Sequence, residues 1–262
     1  MSSQATRHLR FSSFPPFRTC IRLQIASGTR RHREHPLSTR PTLQHIRHSQ
    51  HHKPTALHRH SNKMSTSTQA PLLTRFFDPA IASPDARNRS LATILSWSDS
   101  QLESSHDYIQ TVFPLPEESM FSFAPIVTPE VRSAFLARPE LRASLRGALD
   151  RMLTFYGLQF SSASDKETVT RGPNFAIASR NWVTRFDHNH LRMTRILRSL
   201  RVLGLPDESM ALHDFLSTDE EVTDSVSPRS QMYWRRATER DLHLPPDEED
   251  EGAEGIAWLR ED

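Results

Sequence analysis

Two short polar clusters hold the residue types that could do chemistry: His106-Asp107 and Asp187-His188-Asn189-His190. An imidazole beside a carboxylate can move a proton near neutral pH, and two such pairs brought together could ligate a divalent cation or run acid–base chemistry. The spacing argues against a metal centre. His188 and His190 are two apart, so a helix carries them on different sides, and neither belongs to a zinc-ligand pattern. The plainer expectation is that these groups cap helix ends and hydrogen-bond to each other across a helix–helix contact. A polar ligand pocket and catalysis are the alternatives. Seven scattered glycines draw neither a dinucleotide fingerprint nor a phosphate loop, and Gly-x-Ser-x-Gly does not occur. No cofactor and no metal are expected.

The elements that must position these clusters read as helical. In Asp187–Leu205, Met193, Ile196, Leu197, Leu200 and Leu203 fall at helical spacing and draw one apolar stripe. Asp187 or Asn189 can cap its start, and Gly204 followed by Leu205-Pro206 ends it. Arg192, Arg195, Arg198 and Arg201 lie off the stripe at steps of three and read as a solvated face. An anion or an acidic partner is the alternative there, with the acidic run Asp247–Glu254 of this same chain as one candidate.

The remaining segments follow the same logic. A short helix is expected from Ser90 and a second from Ser98, the latter carrying Leu102, Tyr108, Ile109, Val112 and Phe113 up to Pro114. Thr128-Pro129-Glu130 opens another, and Pro139 begins a long one ending at Gly157, with Arg142, Arg146 and Asp150 on its solvated side. The 161–173 stretch reads as an exposed loop, 175–186 as a helix, and 217–230 as a polar linker before a last helix over 232–244. No period-two strand stands out. The expected architecture is all-α: a single compact multi-helix domain over 73–217, followed by a linker, a C-terminal helix and an acidic tail over 218–262.

Charge divides the chain sharply. Residues 1–63 hold ten Arg and two Lys against one acid, Glu34, so the chain's nominal +2 hides an arm of +11 and a remainder of −9. Nine of the fourteen His also fall in this arm, without metal-ligand spacing. It shows no sustained apolar period, so disorder is expected. A mitochondrial transit peptide, a nucleic-acid-binding arm and an upstream extension before Met64 are the competing assignments. Cys20 is the only cysteine, which excludes an intrachain disulfide framework. No apolar run approaches the roughly 18–20 residues that span a bilayer, so membrane association would have to be peripheral.

Four motifs carry a family resemblance: HDYIQTVFPLPEESMFSFAPIVTPE (His106–Glu130), LDRMLTFYG (Leu149–Gly157), RNW (Arg180–Trp182) and HNHLRMTRILRSLRVLGL (His188–Leu205). In these the chain resembles the conserved domain of the opioid growth factor receptor. Thr111 stands where the family commonly has an aromatic, and Tyr233–Pro245 resembles an extension of fungal-type members. The resemblance covers about Leu73–Pro246. It implies an intracellular, all-helical, non-enzymatic protein of the nucleus or perinuclear membrane. It also implies peptide binding and growth regulation, since the animal members are linked to an opioid pentapeptide. A peptide, a small anionic ligand or a protein partner is the expected partner. The positions matching the family's polar motifs are His106, Asp107, Asn181, Trp182, His188, Asn189, Arg192 and Arg195. No catalytic residue is implied.

Overall fold

A computed structural model of the chain describes residues 71–119, 124–161 and 167–260. The expectations for the arm, residues 1–63, lie outside these. In chain order the helices are α1 (Leu72–Phe77), α2 (Leu91–Leu95), α3 (Asp99–Ser104), α4 (Ile109–Val112), α5 (Pro129–Ala137) and α6 (Pro139–Tyr156). A hairpin of β1 (Leu158–Ser161) and β2 (Thr168–Arg171) follows. The chain then continues through α7 (Phe175–Ala178), α8 (His188–Val202), α9 (Pro206–Thr218), α10 (Glu220–Ser225) and α11 (Pro228–Glu239). The fold is helical, with this single two-stranded sheet among the described residues.

The starts and stops have local causes. Ser90, Ser98, Thr128, Asp187, Asp219 and Ser227 each accept a hydrogen bond from a backbone N–H of the first turn they cap. At Ser98 the bond is reciprocal, because the Gln101 side chain reaches back to the Ser98 N–H. Gly157 ends α6 at φ +80°, where a Cβ would stand 2.7 Å from the Phe175 Cα, so both conformation and space require glycine. Gly204 at φ +82° turns the chain out of α8, and the Leu205 N–H bonds back to the Leu200 carbonyl.

Helix α8 is the centre. Met193, Ile196, Leu197, Leu200 and Leu203 are all 0 % exposed, as the stripe predicts. Helices α9 and α11 lie along α8, while α6 gathers α1, α2, α5, α7 and β1, and β2 packs on α9. The apolar side chains of all these elements form one core.

Four expectations are corrected. The helix read from Ser98 to Phe113 is two, α3 and α4, broken at Ser105 where the backbone is extended. The loop read over 161–173 includes β2, paired antiparallel with β1 so that Leu158 faces Arg171 and Phe160 faces Val169. Strands of four residues are too short to display an alternation in sequence. The helix read over 175–186 is one turn of α7, a 3₁₀ turn at Ser179–Asn181 and irregular chain. The polar linker contains α10, and the core does not stop at residue 217: Val222, Trp234, Ala237 and Leu259 all belong to it.

Replacing Leu197 by Ala removes a side chain with no exposed surface from the middle of α8. The expected loss is about 2–5 kcal/mol of unfolding free energy, read by urea denaturation. A loss below about 1 kcal/mol would mean that α8 is peripheral.

Candidate functional site

The polar cluster forms where the first turn of α8 meets the break between α3 and α4. The residue that organises it is Glu103, at the end of α3, which the sequence motifs do not single out. The Glu103 carboxylate lies 3.1 Å from His188 Nε2, accepts a hydrogen bond from Asn189 Nδ2 at 3.2 Å, and faces Arg192 at 3.7 Å. Asn189 in turn accepts from Arg192 at 3.1 Å, and His188 Nδ1 lies 3.4 Å from the Asp187 carboxylate. Arg192 also donates to the carbonyls of Glu103 and Ser105, at 3.2 and 2.7 Å, and sits over the Tyr108 ring. Those carbonyls are freed by the break after Ser104; the guanidinium takes the place of the helical N–H groups that are missing. Asn189 and Arg192 are buried, whereas His106 lies at the surface.

The eight sequence candidates therefore separate. His106, His188, Asn189 and Arg192 come together, with His106 touching only through its ring, edge-on to His188 at 5.7 Å. Asp107 does not join them. It turns to Arg87, at 2.9 Å, and to Arg89, which also binds Asp85. Trp182 is fully buried, its indole N–H donating to the Tyr156 carbonyl. Asn181 is exposed on the 3₁₀ turn beside it. Arg195 donates to the Phe113 carbonyl at 3.1 Å, and burial of its guanidinium end pulls its pKa down to about 10 although part of the side chain reaches solvent.

The solvated arginine face is likewise corrected. Steps of three residues advance about 300° around a helix, so each arginine falls about 60° behind the last and the four sweep half the circumference. They reach four different places. Besides Arg192 and Arg195, Arg198 is 1 % exposed and binds the Glu117 carboxylate and the Leu242 carbonyl, while Arg201 donates to the Ala237 carbonyl. Within the acidic run Asp247–Glu254, Glu251 pairs with Arg240, and the Glu248 carbonyl accepts from Arg236 and Arg240. On α6, Arg142 is not simply solvated either; it caps the carbonyls of Phe135 and Leu136 at the end of α5.

His190, on the other side of the same turn, ties three elements. Its Nε2 lies 2.7 Å from the Trp182 carbonyl, its Nδ1 3.0 Å from Ser230 Oγ, and its ring packs edge-on against Trp234. Burial lowers the pKa of His190, and burial followed by the Arg192 and His188 charges lowers that of His106. Burial would raise the Glu103 carboxyl, but hydrogen bonds from His188 and Asn189 and the charges of His188 and Arg192 hold it below its ordinary value. Among the described residues, no group of three or more His, Cys, Asp or Glu side chains is arranged to hold a metal ion. No described helix is long and apolar enough to cross a membrane.

A helical domain with one short hairpin, whose central helix carries a polar contact at its first turn, defines the structural class. A family model for the opioid growth factor receptor (OGFr) conserved region matches residues 75–235, more than half of the chain, and the chain belongs to that family. It is 40 % identical over 114 residues to the mouse opioid growth factor receptor, covering 42 % of this chain and 17 % of that protein. With the human receptor the identity is 38 % over 114 residues, covering 42 % and 16 %. With the opioid growth factor receptor-like protein 1 of Xenopus tropicalis it is 35 % over 104 residues, covering 40 % and 20 %. The matched region spans a fifth or less of the length of these relatives. No solved structure matches the chain.

Two predictions follow from the geometry. Asn189→Ala and Glu103→Ala each strand a partner in a mostly enclosed place, so each should cost about 1–3 kcal/mol, and the double variant should lose less than the sum. His106→Ala, which removes one ring edge at the surface, should stay within about 0.5 kcal/mol. The second prediction concerns pH. Because His190 and His106 are held below their unfolded values, the unfolded chain binds more protons, so their contribution is full above about pH 6.5 and is lost as pH falls below it. Urea midpoints should drop between about pH 7.5 and 5.5, and His190→Gln should flatten that slope. A slope unchanged in His190→Gln would place the linked proton elsewhere.

Proposed function

We propose that this chain is a non-enzymatic, opioid growth factor receptor-like regulatory module that binds a peptide through its helical domain. The observation that carries this reading is membership of the opioid growth factor receptor family across residues 75–235, together with relatives that bear the receptor's name. What supports binding rather than catalysis is how the polar groups are used. Asp107 is held by Arg87 and Arg89, away from the histidines, and Asn189 and Arg192 are committed to Glu103 and to backbone carbonyls. The polar group of the cluster left at the surface is the His106 ring, since both nitrogens of His188 face carboxylates. A peptide carbonyl or carboxylate could meet the His106 imidazole without disturbing the contact below it. Action in the nucleus or at the perinuclear membrane, in growth regulation, is part of the same proposal and rests on the family alone.

Calorimetric titration of the full chain with an opioid pentapeptide tests the reading. Saturable binding is expected, weakened at least about tenfold by His106→Ala, a loss equal to about 1.4 kcal/mol, while the melting temperature is unchanged. Failure to detect heat or competition up to about millimolar peptide, a binding free energy near −4 kcal/mol, would remove the opioid ligand from the proposal.

A further inference from the structure

The segment from Ile177 to Phe186 is attached to the core by one face and leaves the other unpartnered. Phe175, Ala178, Ser179 and Trp182 point inward and are buried. Ile177, Arg180, Asn181, Thr184, Arg185 and Phe186 face solvent. Ile177 at 72 % and Phe186 at 61 % are the two most exposed large apolar side chains among the described residues. The segment is wound rather than extended. The N–H groups of Ile177 and Ala178 bond to the Asn174 carbonyl, and those of Trp182 and Val183 to Ser179.

Its charges are as unusual as its apolar groups. Most arginines of the described domain hold a carboxylate or a carbonyl. Arg180 has no such partner among the described residues, and the Arg185 guanidinium lies only against the Phe186 ring, 5.6 Å from its centre. Asp187, next along the chain, is already engaged as the cap of α8. Two uncommitted cations, Arg180 and Arg185, thus lie between two exposed apolar side chains, Ile177 and Phe186, along one segment. Nothing in the folding of this domain calls for that pattern, whereas recognition of a complementary segment does.

We infer that the Ile177–Phe186 strip is a docking surface for an acidic segment of a partner protein, whose carboxylates meet Arg180 and Arg185 and whose apolar side chains cover Ile177 and Phe186. An anionic bilayer fits less well. Basic clusters that bind anionic lipid gather about four to eight Lys or Arg, and this strip holds two. This surface is distinct from the His106 edge invoked for the receptor-like ligand, and the two can fail separately.

The test selects binders from a random twelve-residue peptide library displayed on phage. The full wild-type chain is the target, Arg180→Glu/Arg185→Glu is the counter-target, and selected peptides are then titrated by calorimetry. Peptides combining Asp or Glu with aromatic or aliphatic residues are expected. Their affinity should fall about tenfold or more in Arg180→Glu/Arg185→Glu and in Ile177→Ser/Phe186→Ser, and should be unaffected by His106→Ala. Melting temperatures should be unchanged; if the charge reversal melts lower, Arg180→Gln/Arg185→Gln takes its place. Selection of neutral or basic peptides, or equal binding to wild type and variant, overturns the inference. So does an empty selection alongside co-sedimentation with phosphatidylserine vesicles that the same variant abolishes, which would make the strip a lipid contact.

Discussion

The structure depends on guanidinium groups of α8 bonding to backbone carbonyls that neighbouring helix ends and loops leave open. A helix of four to six residues cannot satisfy its own last carbonyls, and α3 and α4, whose ends Arg192 and Arg195 reach, are of that length. Buried without partners, each such carbonyl would cost about 1–3 kcal/mol. Arg192, Arg195 and Arg201 bond to carbonyls of Ser105, Phe113 and Ala237, Arg198 to that of Leu242, and Ser199 adds a bond to Pro114. Enclosing a guanidinium costs several kcal/mol, which is tolerable only when its donors are filled. Arg198 meets that condition by pairing with Glu117 as well. A helix whose polar side holds loops in place can therefore be buried nearly all round.

That use of arginine decides what the polar cluster can do. Glu103 stands between His188, Asn189 and Arg192 and joins α3 to α8, so most of the groups that look reactive in sequence hold the two elements together. The remaining capacity lies at the rim, at His106, and on the separate strip around Trp182. The indole of Trp182 is anchored to Tyr156 and its carbonyl to His190, so the exposed residues on either side of it are presented by a fixed backbone.

Family membership fits this division of labour. The matched region ends at residue 235, on α11, whose Trp234 donates its indole N–H to the His190 carbonyl of α8. The shared unit thus extends past the α9 helix to the element that closes the back of α8. Beyond it, Gly255, Ile256 and Leu259 fold the acidic tail back, with Ile256 bonded to the His243 carbonyl and Leu259 in the core.

The sequence alone determined the class and the centre of this protein. The apolar stripe of α8, the caps at Ser90, Ser98, Thr128 and Asp187, the stop at Gly157 and the family motifs all depend on interactions within a few residues, and spacing displays such interactions directly. It also brought His106 and His188 into one candidate site. Only the tertiary structure decided what the arginines face, that Glu103 is the hub, that Asp107 belongs to Arg87 and Arg89, and that Ser105 breaks a helix. Each of these rests on a partner roughly twenty to ninety residues away. Arginine at a steady spacing looks the same in sequence whether it meets water or a carbonyl, because the difference lies in which backbone the fold leaves unsatisfied beside it.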